Sequence, residues 1–560
     1  MPYFPWCGSR RRKVQKWKQI EEAASNLEQL PSWNAQDNSL ILQAFEWHVP
    51  ADRRHWRRLE QALPEYKAIG VDQIWIPPGC KGMDADGNGY DIYDLYDLGE
   101  FDQKGAVPTK WGSKHELEDL ICQAQTLGIG VIWDAVLNHK AGADYPEPFQ
   151  AVKVDPKRRD LEISKPAEIM GWTAFDFAGR DDKHSSMKYR WQHFSGVDWD
   201  DKSKQNGIYK TIASNKDWAQ DVSTENGNYD YLMFADLDLA HPEVRADLLQ
   251  WGTWITRTLG LSGMRLDAAK HISTDFQHTL VQHVRQTANP EFFVIGEYWT
   301  GHLPSLLGYL KDVKYRLAAY DVPLLEKFSK LSFTRASDLR GIYEETLVQH
   351  QPDHAVTLVS NHDTQPGQML ETPVAPSFKL LAYALILLRK EGRPCVFYGD
   401  LYGIRLNVDN PMTPSCNYQL PLLMQARKFY AYGEQQDYFN QANCIGSLDL
   451  SSTRYHSPFS DTEISLGTAN SDTGFVRYGN ARHLSGLACV ISNAGAGVQR
   501  MYVGQRHAYE EWDDLLHPEM KPVLIDKQGY GRFNVKPMSV SVWVNSTAAH
   551  RSDLKTDLYV

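Results

Sequence analysis

The stretch Gly263-Met-Arg-Leu-Asp-Ala-Ala-Lys-His271 carries the residue types of a reactive centre. Read as a strand, it points Arg265 and Asp267 to one face and Met264 and Leu266 to the other. A guanidinium two residues from a carboxylate keeps that carboxylate ionised, as a nucleophile requires. An isolated Arg-x-Asp pair is better explained as an ion pair closing a strand end, but this one has company. Glu297 ends the apolar run Phe292-Phe-Val-Ile-Gly296, and Asp363 ends Val359-Ser-Asn-His-Asp363. Glu297 lies between that run and Tyr298-Trp299, an apolar setting that raises a carboxyl pKa and suits a general acid. An ionised carboxylate beside a protonated one, about 5 Å apart, is what retaining cleavage of a glycosidic bond needs. Asp363 can hydrogen-bond sugar hydroxyls as a third carboxylate. His139 and His362 can donate to the same ring, although either histidine alone would read as structural.

These groups need elements to hold them. Short apolar runs recur at Ser39–Phe45, Val71–Ile76, Ile129–Val136, Gly263–Asp267, Phe292–Glu297, Leu317–Val322, Ala355–Ser360 and Cys395–Tyr398. Helical patterns separate most of them, among them Trp56–Ile69, Lys114–Leu127, Pro242–Leu259, Phe276–Ala288 and Lys379–Arg389. Eight such repeats predict an α/β fold, a (β/α)₈ TIM barrel, in which polar residues at the C-terminal strand ends are catalytic. Asn138-His139, Asp267, Glu297 and Asn361-His-Asp363 all fall at such ends. The stretch after the third strand is too long for a barrel loop and reads as an inserted subdomain. Alternating segments after Phe439, broken by Gly, Asn and Pro, read as a C-terminal antiparallel β-sandwich domain. The expected division is therefore an N-terminal extension (1–34), barrel (35–139), inserted domain (140–239), barrel (240–438), β domain (439–548) and tail (549–560). Within the extension, 16–30 reads as a solvated amphipathic helix. A loop rich in Ser, Thr and Asp is expected over 446–475.

Composition narrows the partners. A net charge of −11 argues against nucleic acid. No run approaches the roughly 18 apolar residues of a membrane span. Seven scattered cysteines, never in C-x-x-C, fit a reduced compartment better than a disulfide framework. No apolar signal region follows Met1. A cytoplasmic monomer is expected, or a secreted one if a leader preceded this sequence. The 17 Trp and 28 Tyr supply a core and, in a cleft, flat platforms for sugar rings.

Four segments together carry a family resemblance. Asp134-Ala-Val-Leu-Asn-His139, Gly263 to His271, Ile295-Gly-Glu297 and Val359 to Asp363 resemble the signature regions of the α-amylase family, glycoside hydrolase family 13. Further similarity to liquefying bacterial and fungal intracellular members lies in Tyr93–Phe101, Glu225–Tyr231, Asp236-Leu-Asp238 and Arg500–Gly504. The resemblance implies Asp267 as nucleophile, Glu297 as acid/base and Asp363 as transition-state stabiliser. It implies Arg265, His139 and His362 around one sugar, with Tyr90 stacking on it. Lys270, His271 and Trp299 would face the leaving group, and Trp47 would join the substrate contacts. It also implies one Ca²⁺ held by Asn138, Asp230, Asp236 and the backbone carbonyl of His271. Ala219 and Ala240 replace aspartates that serve additional ions in the bacterial members, so a multi-metal cluster is not expected. The activity implied is retaining endo-hydrolysis of α-1,4-glucosidic bonds in starch, glycogen or maltooligosaccharides. Glucan transfer through the same intermediate is the alternative, and a non-catalytic glucan-binding protein the remote one.

Overall fold

The computed structural model describes residues 38–334, 336–405, 413–439 and 472–555. The expected N-terminal extension and the 446–471 part of the expected loop lie outside these residues. Eight parallel strands close into a barrel: β1 (Ile41–Gln43), β2 (Gln73–Ile76), β3 (Gly130–Ala135), β4 (Gly263–Leu266), β5 (Phe293–Gly296), β6 (Ala318–Tyr320), β7 (Ala355–Leu358) and β8 (Arg393–Phe397). All eight coincide with the apolar runs read from the sequence: seven are trimmed by one to four residues, and β8 starts two residues before its run and ends one short of it. Their near-continuous burial explains why they read as unbroken apolar runs: both faces of a parallel sheet are covered.

By contact density the chain divides into two compact units. One comprises Val49–Leu63 and Gln73–Tyr320, and holds β2 to β6 and the inserted region. The other takes the described parts of Asn34–His48, Pro64–Asp72 and Asp321–Val560, and holds β1, β7, β8 and the C-terminal sheets.

In the first unit, helix caps decide where strands begin. Ser113 and Glu116 form a capping box at the start of α1 (Lys114–Thr126), which leads into β3. Pro242 opens α2 (Pro242–Leu259), and Gly260, at φ +64°, ends it in the left-handed conformation that glycine adopts without strain. Three residues later β4 starts, so this stop fixes the register of the strand that carries Arg265. In that register Arg265 lies opposite Asp134 of β3 and Ile295 of β5. The ladder continues past the strand ends: Asp267 N donates to Ala135 O at 3.1 Å and Glu297 N to Leu266 O at 3.0 Å. Both acidic residues are thus held by backbone bonds at the C-terminal edge. The inserted region is a seven-stranded, largely antiparallel sheet between His139–Lys140 and Ala235–Leu237. Its two ends pair with each other, Asp236 opposite His139.

In the second unit, six antiparallel strands form one sheet and Gly497–Tyr502 pairs with Tyr530–Val535 in another. Met501, Phe533 and Val535 of the pair pack with Val490, Trp512 and Trp543 of the larger sheet in one buried cluster. That packing makes the expected β-sandwich.

Candidate active site

Arg265 is the hub of the first unit's polar cluster and is fully buried. Its Nη1 lies 2.8 Å from Asp134 Oδ1 and 2.7 Å from Asp267 Oδ1, and its Nη2 pairs with Glu297 Oε1. Burial alone would depress its pKa, but Asp134, Glu297 and Asp267 outweigh burial and hold it well up. The expectation that Arg265 and Asp267 share a face is met. The expected setting of Glu297 needs correcting: it also lies on this guanidinium, and its Oε2 accepts from Ala268 N at 2.9 Å. Ala268 adopts φ +51°, a left-handed turn that aims its N–H at this acid.

Asp134 was not singled out in the sequence, although a charge inside the apolar run Ile129–Val136 was a signal. Three donors fix it: Arg265, Trp75 Nε1 at 3.0 Å and Tyr90 Oη at 3.0 Å. The Tyr90 ring therefore stands beside Arg265, whose Cζ is 5.8 Å from its centroid. His139 Nε2 donates to Tyr90 O at 2.8 Å, and burial pushes its pKa down to about 4. It is a neutral imidazole at ordinary pH. Its ring meets Phe234, on the wall of a cleft of about 420 Å³ that Trp172, Trp199, Lys140 and Asp198 also line. These tryptophans belong to the aromatic-rich inserted region.

Lys270 donates to Glu225 Oε2 at 2.9 Å and to Trp299 O at 3.3 Å, joining two residues expected on one side of the site. His271 donates from Nδ1 to Tyr229 O at 2.7 Å, and burial drives its pKa down to about 3.

The second unit carries the remaining predicted residues. His362 Nε2 is 3.4 Å from Asp363 Oδ2, and the Trp47 ring stacks on the His362 ring with centroids 5.9 Å apart. Asn361 Oδ1 accepts from the N–H groups of Asp363 (3.0 Å) and Thr364 (2.8 Å), which shapes the turn beyond β7.

The predicted metal ligands Asn138 and Asp236 meet: Asn138 Nδ2 donates to Asp236 Oδ1 at 3.0 Å. Asp230 is buried with them, its pKa pushed up to about 7 by burial; burial and then Asp230 push Asp236 well up. Two buried carboxylates that resist ionisation, beside a carboxamide, are a hard-oxygen donor set that fits a divalent cation. A second group, His193, His241 and Glu243, has ligand-type atoms within 4.8 Å of one another. There, however, each imidazole Nδ1 accepts a backbone N–H, from Arg190 and Glu243. Each neutral ring then has its proton on Nε2, and the His193 Nε2 proton is given to Glu243. That arrangement is a hydrogen-bonded cluster, poorly set for metal ligation.

With this geometry in place, comparison with known proteins is decisive. The sequence pattern of the α-amylase catalytic domain matches residues 55–415. The chain belongs to the α-amylase family. It is 42% identical over 511 residues to the glucan 1,4-α-maltohexaosidase of Bacillus sp. (strain 707), covering 91% of this chain and 92% of that one. It is 35% identical over 521 residues to the cytoplasmic α-amylase of Escherichia coli (strain K12), covering 90% and 99%. The solved structure of the α-amylase from Geobacillus thermoleovorans, complexed with acarbose, shares the fold at TM-score 0.57 and 16% identity, covering 92% and 99% of the two chains. The α-amylase-family enzyme described here is a glycoside hydrolase.

Proposed function

We propose that this α-amylase cleaves internal α-1,4-glucosidic bonds of starch, glycogen or maltooligosaccharides with retention, through a glycosyl-enzyme on Asp267. The observation that carries the reading is the shared guanidinium: two adjacent nitrogens of Arg265 hold Asp267 and Glu297. Carboxylates so close favour the roughly 5 Å spacing of retaining enzymes over the 6.5–9.5 Å that an inverting water requires. Three carboxylates against one buried cation also leave excess negative charge, which one proton on the acid relieves.

In this mechanism Glu297 gives its proton to the leaving oxygen while the Asp267 carboxylate attacks the anomeric carbon. Glu297 then takes a proton from water, which releases the sugar from Asp267 with its configuration retained. Arg265 keeps Asp267 ionised. Asp363 and His362 act on the same sugar; His139, whose one proton is already given to Tyr90 O, offers that sugar an acceptor at Nδ1 in place of the expected donor; Tyr90 and Trp47 supply ring faces. Lys270, His271 and Trp299 serve the leaving-group side. Trp172 and Trp199, on the walls of the cleft, extend the platform for a longer glucan. Asn138, Asp230, Asp236 and the His271 carbonyl hold one Ca²⁺, whose part is to tie the inserted sheet to β3. The chain works as a cytoplasmic monomer without nucleic-acid or membrane partners, a reading supported by its similarity to the cytoplasmic α-amylase of Escherichia coli.

A time course on maltoheptaose tests this. Only shorter products, released first as α-anomers, are expected. Glu297→Gln and Asp267→Asn should each lower kcat at least about a thousandfold while Glu297→Gln still binds glucan. Products longer than the substrate would make the enzyme a glucanotransferase, and full activity of Glu297→Gln would refute the acid assignment.

A further inference from the structure

β1 and the segment just after it carry none of the four motifs, yet one polar side chain from each is buried as deeply as the core. Gln43 is 0% and Glu46 1% exposed. Gln43 Nε2 donates to His362 Nδ1 at 2.9 Å. An imidazole nitrogen that accepts a hydrogen bond carries no proton, so the neutral ring holds its proton on Nε2. That is the nitrogen facing Asp363, 3.4 Å away.

Glu46, three residues on, works on the same turn from another side. Its Oε2 accepts from His48 N at 2.8 Å and from Gln365 Nε2 at 3.1 Å. Gln365 Oε1 in turn accepts from Trp47 N at 3.1 Å. Glu46 and Gln365 therefore close a ring of hydrogen bonds between the segment after β1 and the turn that presents Asp363. Trp47, held by this ring, stacks on His362 at an interplanar angle of 12°. Gln365 N is itself bonded to Asn361 O, at 3.1 Å. Phe45 fills another side of the imidazole, its ring centroid 5.0 Å away.

We infer that Gln43 and Glu46 are positioning residues for the hydrolysis: Gln43 fixes the tautomer of His362, and Glu46 fixes the turn carrying His362 and Asp363. This rests on the proposed reaction at that site. Nothing about an amide and a carboxylate so deeply buried serves the barrel core, where apolar side chains cost less. Their specific return is a donor, Nε2–H, aimed where charge and hydroxyl groups of the substrate are to be met.

The test uses Gln43→Glu, Glu46→Gln and Glu46→Ala, with kcat and KM on maltoheptaose from pH 5 to 9 and melting temperatures alongside. A carboxylate at 43 accepts where the amide donates, so it draws a proton onto Nδ1 and favours either the other tautomer or the imidazolium. Gln43→Glu is expected to lower kcat about tenfold, with KM changed less than about threefold, and to move a limb of the pH profile. Glu46→Gln can still offer one oxygen to both donors and should keep most of kcat. Glu46→Ala should lose about tenfold. In protein labelled with ¹⁵N-histidine, the His362 signals, assigned by their loss in His362→Gln, should show the proton on Nε2 in the wild type and not in Gln43→Glu. That reading needs no turnover, so a wild type inactive on glucan would sink the proposed reaction and leave the tautomer answerable. Unchanged kcat, pH profile and nitrogen signals in Gln43→Glu would overturn the role of Gln43. Activity that follows melting temperature alone, with Glu46→Gln as poor as Glu46→Ala, would overturn that of Glu46.

Discussion

At the scale of single residues, the site is built on one buried cation and the acids that surround it. Arg265 satisfies Asp134 and leaves Asp267 and Glu297 on its outer edge, so Asp134 acts as the anchor beneath the two acids proposed to react. Trp75 Nε1 and Tyr90 Oη complete the anchor. An amide at 134 would leave at least one of these three donors facing an N–H. Asp134→Asn is therefore expected to destabilise the protein by about 3 kcal/mol, the lower end for breaking a buried pair, because Arg265 keeps two other acids. Urea unfolding followed by tryptophan fluorescence would read this, and kcat should fall with it as Arg265 shifts. A variant as stable as the wild type would show that the anchor is dispensable.

At the scale of elements, caps and short turns set the registers on which those contacts depend. The start of α2 also joins the inserted sheet through the His193–Glu243 bond, 2.9 Å long. Burial lowers the His193 pKa below its ordinary 6.5, against the opposing pull of Glu243. The folded state then binds fewer protons than the unfolded chain below pH 6.5, and stability rises with pH through that window. Its contribution is thus complete above pH 6.5 and lost progressively on acidification. His193→Gln has no such titration. The gap in melting temperature between wild type and His193→Gln should narrow as pH falls from 7.5 to 5; a constant gap would mean that His193 stays out of the acid response.

At the scale of the whole molecule, the inserted region leaves and rejoins one barrel, and its two ends pair as Asp236 with His139 (about 100 residues of chain closed at a cost that grows only with the logarithm of length). Asn138 and Asp236 stand at that closure, with Asp230 buried nearby. A Ca²⁺ held there binds the folded state only. At about a hundredfold its Kd it adds about 2.7 kcal/mol of stability. Chelation is accordingly expected to lower the melting temperature and the activity together, and added Ca²⁺ to restore both. In Asp236→Asn the response to Ca²⁺ should shrink. A melting temperature indifferent to chelator and to Ca²⁺ would remove the ion from this account.

The sequence by itself determined the eight barrel strands, the inserted and C-terminal β regions, and the Arg265–Asp267 face. Each of these is written in local periodicity, in turn residues such as Gly260, or in two residues sharing a strand face. It also displayed the acids now found on Arg265, because strand-end carboxylates after apolar runs are conspicuous. The tertiary structure decided what those acids touch. Asp134 meets Arg265 across 131 residues of sequence, and Gln43 and Glu46 each meet their partners across 319. No local pattern encodes such a pairing, since a buried glutamine or glutamate in an apolar strand looks the same whatever lies opposite. The setting of Glu297 escapes a local reading for the same reason: its chain neighbours are aromatic, but the charge beside it, Arg265, comes from the neighbouring strand. Local chemistry nominates the groups that react, and strand register, which only folding creates, selects the groups that aim them.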